Sequence, residues 1–251
     1  MILAPDRSLI GYGVLGMHAY QMQSGFLEVG NSNEVKIQHS NEKKSVPNYR
    51  TGIGNNNSKS RITEITGSFT LYDWTPASLA VALNAKPRGV AAGTAPDEPH
   101  PSTGVHGEHI VFNDLPDPTQ PMTVKTAGGD PLSPGVDYLA TPYGIQVIGG
   151  GAIDETGIVV SYTKIKATAL EVLAGTSGYH ALHFAGMNDV QDGAVYDLTI
   201  WRAKFDVVSE LQVSGTDYQP LAVTFEALAD FTRVGANLSQ FYTFRQVDLA
   251  A

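Results

Sequence analysis

The chain has 251 residues, 42% of them hydrophobic and 16% charged, with no long polar or single-charge tract, so it is a folded chain with enough residues for one large all-β domain or two smaller ones. Sixteen Lys+Arg against 25 Asp+Glu leave a formal net charge of −9, which argues against a dedicated nucleic-acid binder, since such proteins carry a basic face. Cysteine is absent, which excludes disulfides, thiolate catalysis and Cys-ligated zinc or iron–sulfur centres.

No stretch approaches the roughly 18 consecutive apolar residues of a membrane-spanning helix. The N-terminus, Met1-Ile2-Leu3-Ala4-Pro5-Asp6-Arg7, lacks the pattern of a secretory signal, so folding in a cytoplasm is expected. Residues 1–33 are punctuated by Gly and Ser, and are expected to form an N-terminal arm with a weak apolar run at Phe26–Val29. A strand follows at Glu34–His39, where apolar and polar residues alternate. Residues 40–60 read as a long loop, because Gly52-Ile53-Gly54-Asn55-Asn56-Asn57-Ser58 has almost no β-forming content.

That loop reverses the charge of the protein. Between Glu34 and Glu64 stand six basic residues (Lys36, Lys43, Lys44, Arg50, Lys59, Arg61) and three acidic ones (Glu34, Glu42, Glu64), leaving 10 basic and 22 acidic residues elsewhere. A basic finger on an acidic body suits an acidic partner, including a second copy of the chain; the plainer alternative is an ordinary solvated loop.

The chain returns as a strand over Arg61–Leu71, where Ile65, Phe69 and Leu71 share a phase that Ile62 does not, so a bulge is expected near Thr63-Glu64. A helix comes next. Thr75 is its cap, Pro76 its first residue, and Trp74 and Leu79 the two ends of a hydrophobic staple. Its body through Leu83 is apolar on nearly every side, so Trp74, Leu79 and Leu83 are expected to pack on a sheet, with Asn84 and Pro87 ending the helix.

Residues 87–104 read as a Pro/Gly-rich linker into a small β-subdomain with strands at His109–Phe112, Met122–Lys125, Val136–Leu139, Gly144–Ile148 and Gly157–Tyr162. The last third predicts strands at Tyr179–Phe184, Val195–Phe205, Val207–Val213, Leu221–Ala227 and Phe241–Val247. The resulting organisation is a β core from residues 1–94 and 170–251, with residues 95–169 inserted as a β-rich subdomain.

No catalytic constellation emerges. His106-Gly107-Glu108-His109 enters a strand, where its two histidines point to opposite faces, unlike the helical metal-binding pattern. His180 and His183 are separated in the same way. Gly149-Gly150-Gly151 is followed by Asp154-Glu155 and a strand, which makes it a hairpin turn rather than a phosphate cradle. Gly175-Thr176-Ser177-Gly178 lacks the spacing of a nucleophile elbow. The reading therefore assigns no catalytic residue, no cofactor and no metal.

The order of elements resembles the tail tube (major tail) proteins of long-tailed bacteriophages. The resemblance lies in the Gly30-Asn31 turn, the strand Glu34–His39, the basic segment to Arg61, the strand Ile65–Leu71, and the run Asp73-Trp74-Thr75-Pro76-Ala77-Ser78-Leu79-Ala80-Val81-Ala82-Leu83. Tyr179–Asn188 leading to Trp201, and Tyr218–Asp230 as a closing strand, are similar to the same family. So are Gly135–Tyr138 and Gly144–Val147 within the insertion, whose size departs from the minimal family.

The resemblance implies a β-sandwich or split barrel flanked by one helix, assembling into hexameric rings that stack into a hollow tube. DNA passes through the lumen without specific binding, and an acidic balance keeps it from sticking. The implied partners are other copies of the chain and tail terminator, tape-measure and tail-tip proteins, with localisation in the virion tail and no membrane. Lys43, Lys44, Tyr49, Arg50, Lys59 and Arg61 are the expected inter-subunit contacts. The insertion is expected outside the tube, where Pro96–Thr103 would be open to protease. The alternatives are a tube protein of a contractile injection device and a carbohydrate-binding or adhesin-like β-sandwich of a tail tip.

Overall fold

The computed structural model describes residues 8–247. They form β1 (Gly11–Ala19), β2 (Leu27–Glu28), β3 (Ser32–Pro47), β4 (Asn55–Leu71), α1 (Pro76–Ala82), β5 (Lys86–Val90), β6 (Gly93–His100), β7 (His109–Val111) and β8 (Thr123–Thr126). There follow β9 (Tyr138–Thr141), β10 (Gly144–Val147), β11 (Ile158–Lys164), β12 (Ala167–Glu171), β13 (Tyr179–Asn188), β14 (Ala194–Phe205), β15 (Leu221–Ala227) and β16 (Tyr242–Gln246). The protein is mostly β, with one α-helix and one 3-10 turn, Asp189–Gln191, among the described residues.

Two compact units emerge, one comprising Met1–Lys86 and Leu170–Ala251, the other Pro87–Ala169. In the first, an antiparallel sheet runs β2-β1-β13-β14-β15-β4-β3, and β16 pairs with Tyr196–Ile200 of β14 on the same side as β15, which takes Ala203–Phe205. The sheet ends at β2 and β3 without closing into a barrel. Its core is built where period-two alternation aims alternate residues inward: Leu15 from β1, Ile65, Phe69 and Leu71 from β4, Leu182 from β13, Ile200 and Phe205 from β14, and Leu221, Val223 and Phe225 from β15. The Phe225 ring lies over Gly67, its cross-strand partner, where a Cβ would meet ring carbons at 2.2 Å.

The helix forms as its local sequence dictates. Thr75 caps it, the Ser78 N–H donates to Thr75 Oγ1 at 3.1 Å, and the Thr75 N–H donates to Ser78 Oγ at 3.1 Å. Asn84 takes the left-handed conformation that ends it. Ala82 lies in the core, Trp74, Leu79 and Val81 pack against it, and Leu83 is buried. Replacing Thr75 by Ala should cost about 1 kcal/mol, read as a lower thermal unfolding midpoint.

Several segments differ from expectation. Residues 40–60 are not a loop: β3 and β4 continue as one ribbon, and only residues 48–54 turn. The reason is that a ribbon paired strand to strand satisfies its backbone without burying either face, so it needs no hydrophobic alternation. The expected bulge is present, with Ser40 facing Glu64, Asn41 facing Ile62, and Thr63 left over.

The N-terminal arm contains β1, masked in the sequence by Gly11, Gly13 and Gly16. These glycines answer to close packing: a Cβ on Gly11 would meet the Tyr196 hydroxyl at 2.0 Å, and one on Gly13 the Ala185 carbonyl at 2.1 Å. Residues 1–7 of that arm lie outside the described residues. Val207–Val213 forms no strand; Val208 packs on the core instead, and its N–H is taken by the Ala82 carbonyl at 3.0 Å.

In the second unit, sheets β6-β11-β8 and β7-β10-β9 share a core of Ile110, Phe112, Val124, Tyr138, Ile145, Val147, Ile158, Val160 and Tyr162. The supposed linker over 87–104 supplies β5 and β6. Pro96 and Pro99 are tolerated in β6 because it is an edge strand. The Tyr162 hydroxyl, pushed up to about 12 chiefly by burial, donates to Glu98, which also meets His100 Nε2 at 2.6 Å. Because Pro96–Thr103 runs through this paired strand and on to a Ser102–Glu108 hydrogen bond, resistance to protease there would report the fold of this unit and not its place in an assembly.

Candidate functional site

The β3–β4 ribbon is the most distinctive surface of the first unit. Every residue from Gln38 to Glu64 except Asn48 is exposed. Asn41 to Pro47 alone span about 24 Å at ~3.4 Å per residue. An isolated two-stranded ribbon is marginal in water, so this one is held by its root, where Val35 and Ile37 pack on the core and Ile65 enters it. At its end, Asn48 Oδ1 accepts from the N–H groups of Arg50 and Thr51, and Gly52 and Gly54 take positive φ, which is the chemistry of a tight turn.

Register decides which charges meet. Lys44 stands directly opposite Lys59, and Glu42 opposite Arg61, so these four share one face of the ribbon. Lys44 Nζ reaches Glu42 at 3.4 Å along its own strand, an exposed pair worth little. Lys43 faces Ser60 on the other side. Tyr49 and Arg50 lie in the turn with Ile53, and the two apolar side chains are 84% and 82% exposed. The structure thus groups Lys44, Lys59 and Arg61, puts Lys43 on the reverse, and places Tyr49 and Arg50 at the tip. Trp74, Leu79 and Leu83 belong to the helix and its packing.

A second surface escapes sequence reasoning. On the face of β1, β13 and β14 turned away from the core, Tyr12, Met187 and Val195 line up across three strands, and Val247, just past the end of β16, extends the row with its N–H on the Val195 carbonyl. Each is between 42% and 56% exposed. The period-two signal was there, but only strand order makes a row of four residues so far apart in sequence. Beyond the row, towards the β13–β14 turn, stand exposed Val190, Asp189 and Asp192.

On the other side Asp197 accepts from Arg245 Nε at 2.9 Å and from its Nη2, with His183 Nε2 at 3.2 Å. The Arg245 hydrogen bond holds the Asp197 carboxyl below the usual range, against a smaller opposing effect of burial. A folded-state value below the unfolded one, about 3.9, gives stability that is present above that pH and lost as pH falls through the folded value. Replacing Asp197 by Asn should therefore lower the thermal midpoint at neutral pH and flatten its decline below about pH 4.

The histidines flagged in the sequence take structural parts. His106 Nδ1 accepts from the Gly149 N–H at 3.1 Å, and exposed His109 lies 3.3 Å from Gln146 Nε2. His180 packs edge-on against Phe205, and burial lowers its pKa. Among the described residues, no three His, Asp or Glu side chains are grouped to hold a metal, and no helix is long and apolar enough to cross a membrane.

A family described as "Protein of unknown function UCP028589" matches residues 8–245. No curated protein sequence matches the chain.

Proposed function

The chain belongs to that family, whose description names no activity, and we propose that it is a structural subunit that self-assembles into stacked rings forming a hollow tube, of the kind found in the tails of long-tailed bacteriophages. One observation carries the reading. A ribbon about 24 Å long projects with no covered face and sets Lys44 against Lys59. Like charges directly opposite on paired strands oppose the pairing, and a second copy's acidic surface would relieve them. The rest of the chain, with 22 acidic residues to 10 basic, can supply such a surface.

The mostly β first unit with one flanking helix supports the reading, as does the order of elements that resembles tail tube proteins. In this proposal six copies close a ring, and the ribbon bridges copies or rings. DNA passes an acidic lumen unbound, and terminator, tape-measure and tail-tip proteins cap the assembly in the virion tail. The chain itself carries no catalytic duty. Concentrated purified protein, viewed by negative-stain electron microscopy beside a light-scattering mass, should show rings or hollow tubes with a regular axial repeat. A strict monomer at every concentration, also in the presence of a tail-tip initiator, would overturn it.

A further inference from the structure

Two exposed apolar surfaces of the first unit have matching surroundings. The ribbon tip carries Tyr49 and Ile53, bordered by Arg50 and, further down, Lys44 and Lys59. The outer-face row of Tyr12, Met187, Val195 and Val247 is bordered by Asp189, Asp192 and Asp197, with Arg245 the cation beside them and already engaged by Asp197. Neither surface is covered within one copy.

We propose that the outer-face row is the seat for the ribbon tip of a second copy. Tyr49 and Ile53 lie on the row, and Arg50 and the ribbon lysines meet Asp189 and Asp192 at its rim. Removing both apolar surfaces from water drives the contact, while the charges set its orientation. Tip and row are different patches of one chain, so unless two copies exchange tips reciprocally and close as a dimer, the contact is head-to-tail. Such a contact leaves a free tip and a free row at the ends of every pair, and grows into a ring or a filament. The inference rests on the self-assembly proposed above and adds the surface that receives the ribbon.

The absence of cysteine makes introduced thiols unique. Full-length Tyr49→Cys and Val195→Cys proteins are prepared separately, mixed under assembly conditions and treated with a short bis-maleimide. Tyr49→Cys mixed with Val136→Cys, an exposed position of the second unit, is the control. The tip-and-row pair should give about tenfold more cross-linked heterodimer than the control, because docking raises the local thiol concentration into the millimolar range. Both positions are exposed, so each variant should keep the parent's unfolding midpoint; Met187→Cys replaces Val195→Cys if it does not. Rings or tubes with cross-linking no greater than the control would overturn the seat and leave self-assembly standing. No assembly and no cross-link would remove both.

Discussion

Lys44→Glu should separate folding from assembly, with opposite signs. In the isolated chain the new carboxylate faces Lys59 across the ribbon, turning a like-charge pair into an opposite-charge one. Such a change is worth roughly 0.2–1 kcal/mol in favour of the ribbon, less the small contribution of the exposed Lys44–Glu42 pair, which becomes a like-charge neighbour. The thermal midpoint should therefore hold or rise slightly. Assembly should fall sharply, because the face proposed to meet a second copy's carboxylates would lose a cation and gain an anion. Adding Lys43→Glu alters the reverse face as well, and the double variant should form no rings or tubes by electron microscopy. Salt should mimic the single variant, since the screening length falls from about 10 Å at 0.1 M to about 3 Å at 1 M. Unchanged tubes from the double variant would show that the ribbon charges take no part.

Phe225→Ala should have the largest effect on folding. Its ring is almost fully buried, packs with Phe205 and Phe69 at centroid distances of 5.8 and 6.3 Å, and covers Gly67. Truncation leaves a cavity the neighbouring strands cannot fill, at a cost of about 3–5 kcal/mol. That is a large part of the 5–15 kcal/mol typical of a domain. Denaturant unfolding followed by near-ultraviolet circular dichroism should show the early loss of the first unit. Adding Gly67→Val should recover part of it, because the new methyls enter the space the ring vacated. A midpoint within experimental error of the parent would mean that Phe225 is not the keystone its burial indicates.

What the sequence disclosed follows from how local each signal is. The helix was legible because its cap, first-turn Pro and staple lie within six residues, from Trp74 to Leu79. β15 was legible because Leu221, Val223 and Phe225 alternate with Ala222, Thr224 and Glu226. The outer ribbon was not, since strands without a buried face leave no alternation, and Gly52 with Gly54 read as part of a long loop where they make a tight turn between two strands. Prolines hid β6 and glycines hid β1 for the reasons their neighbours supply.

The charge reversal over Glu34–Glu64 was found by counting, but the facing of Lys44 and Lys59 depends on Thr63 dropping out of register. A one-residue slip would send every side chain of one strand to the other side. The row of Tyr12, Met187, Val195 and Val247 required the order of four strands, which no local pattern encodes.

The strands that leave and re-enter the first unit, β5 and β12, pair with each other. Neighbouring strands sit about 4.8 Å apart, so the two cut ends of the host would already be within reach of a two-residue turn. The second unit is therefore a cassette. Whatever else it does, it can be lost, lengthened or exchanged between relatives without rewriting the host's core, and a foreign domain with adjacent termini has a ready port of entry at the same point.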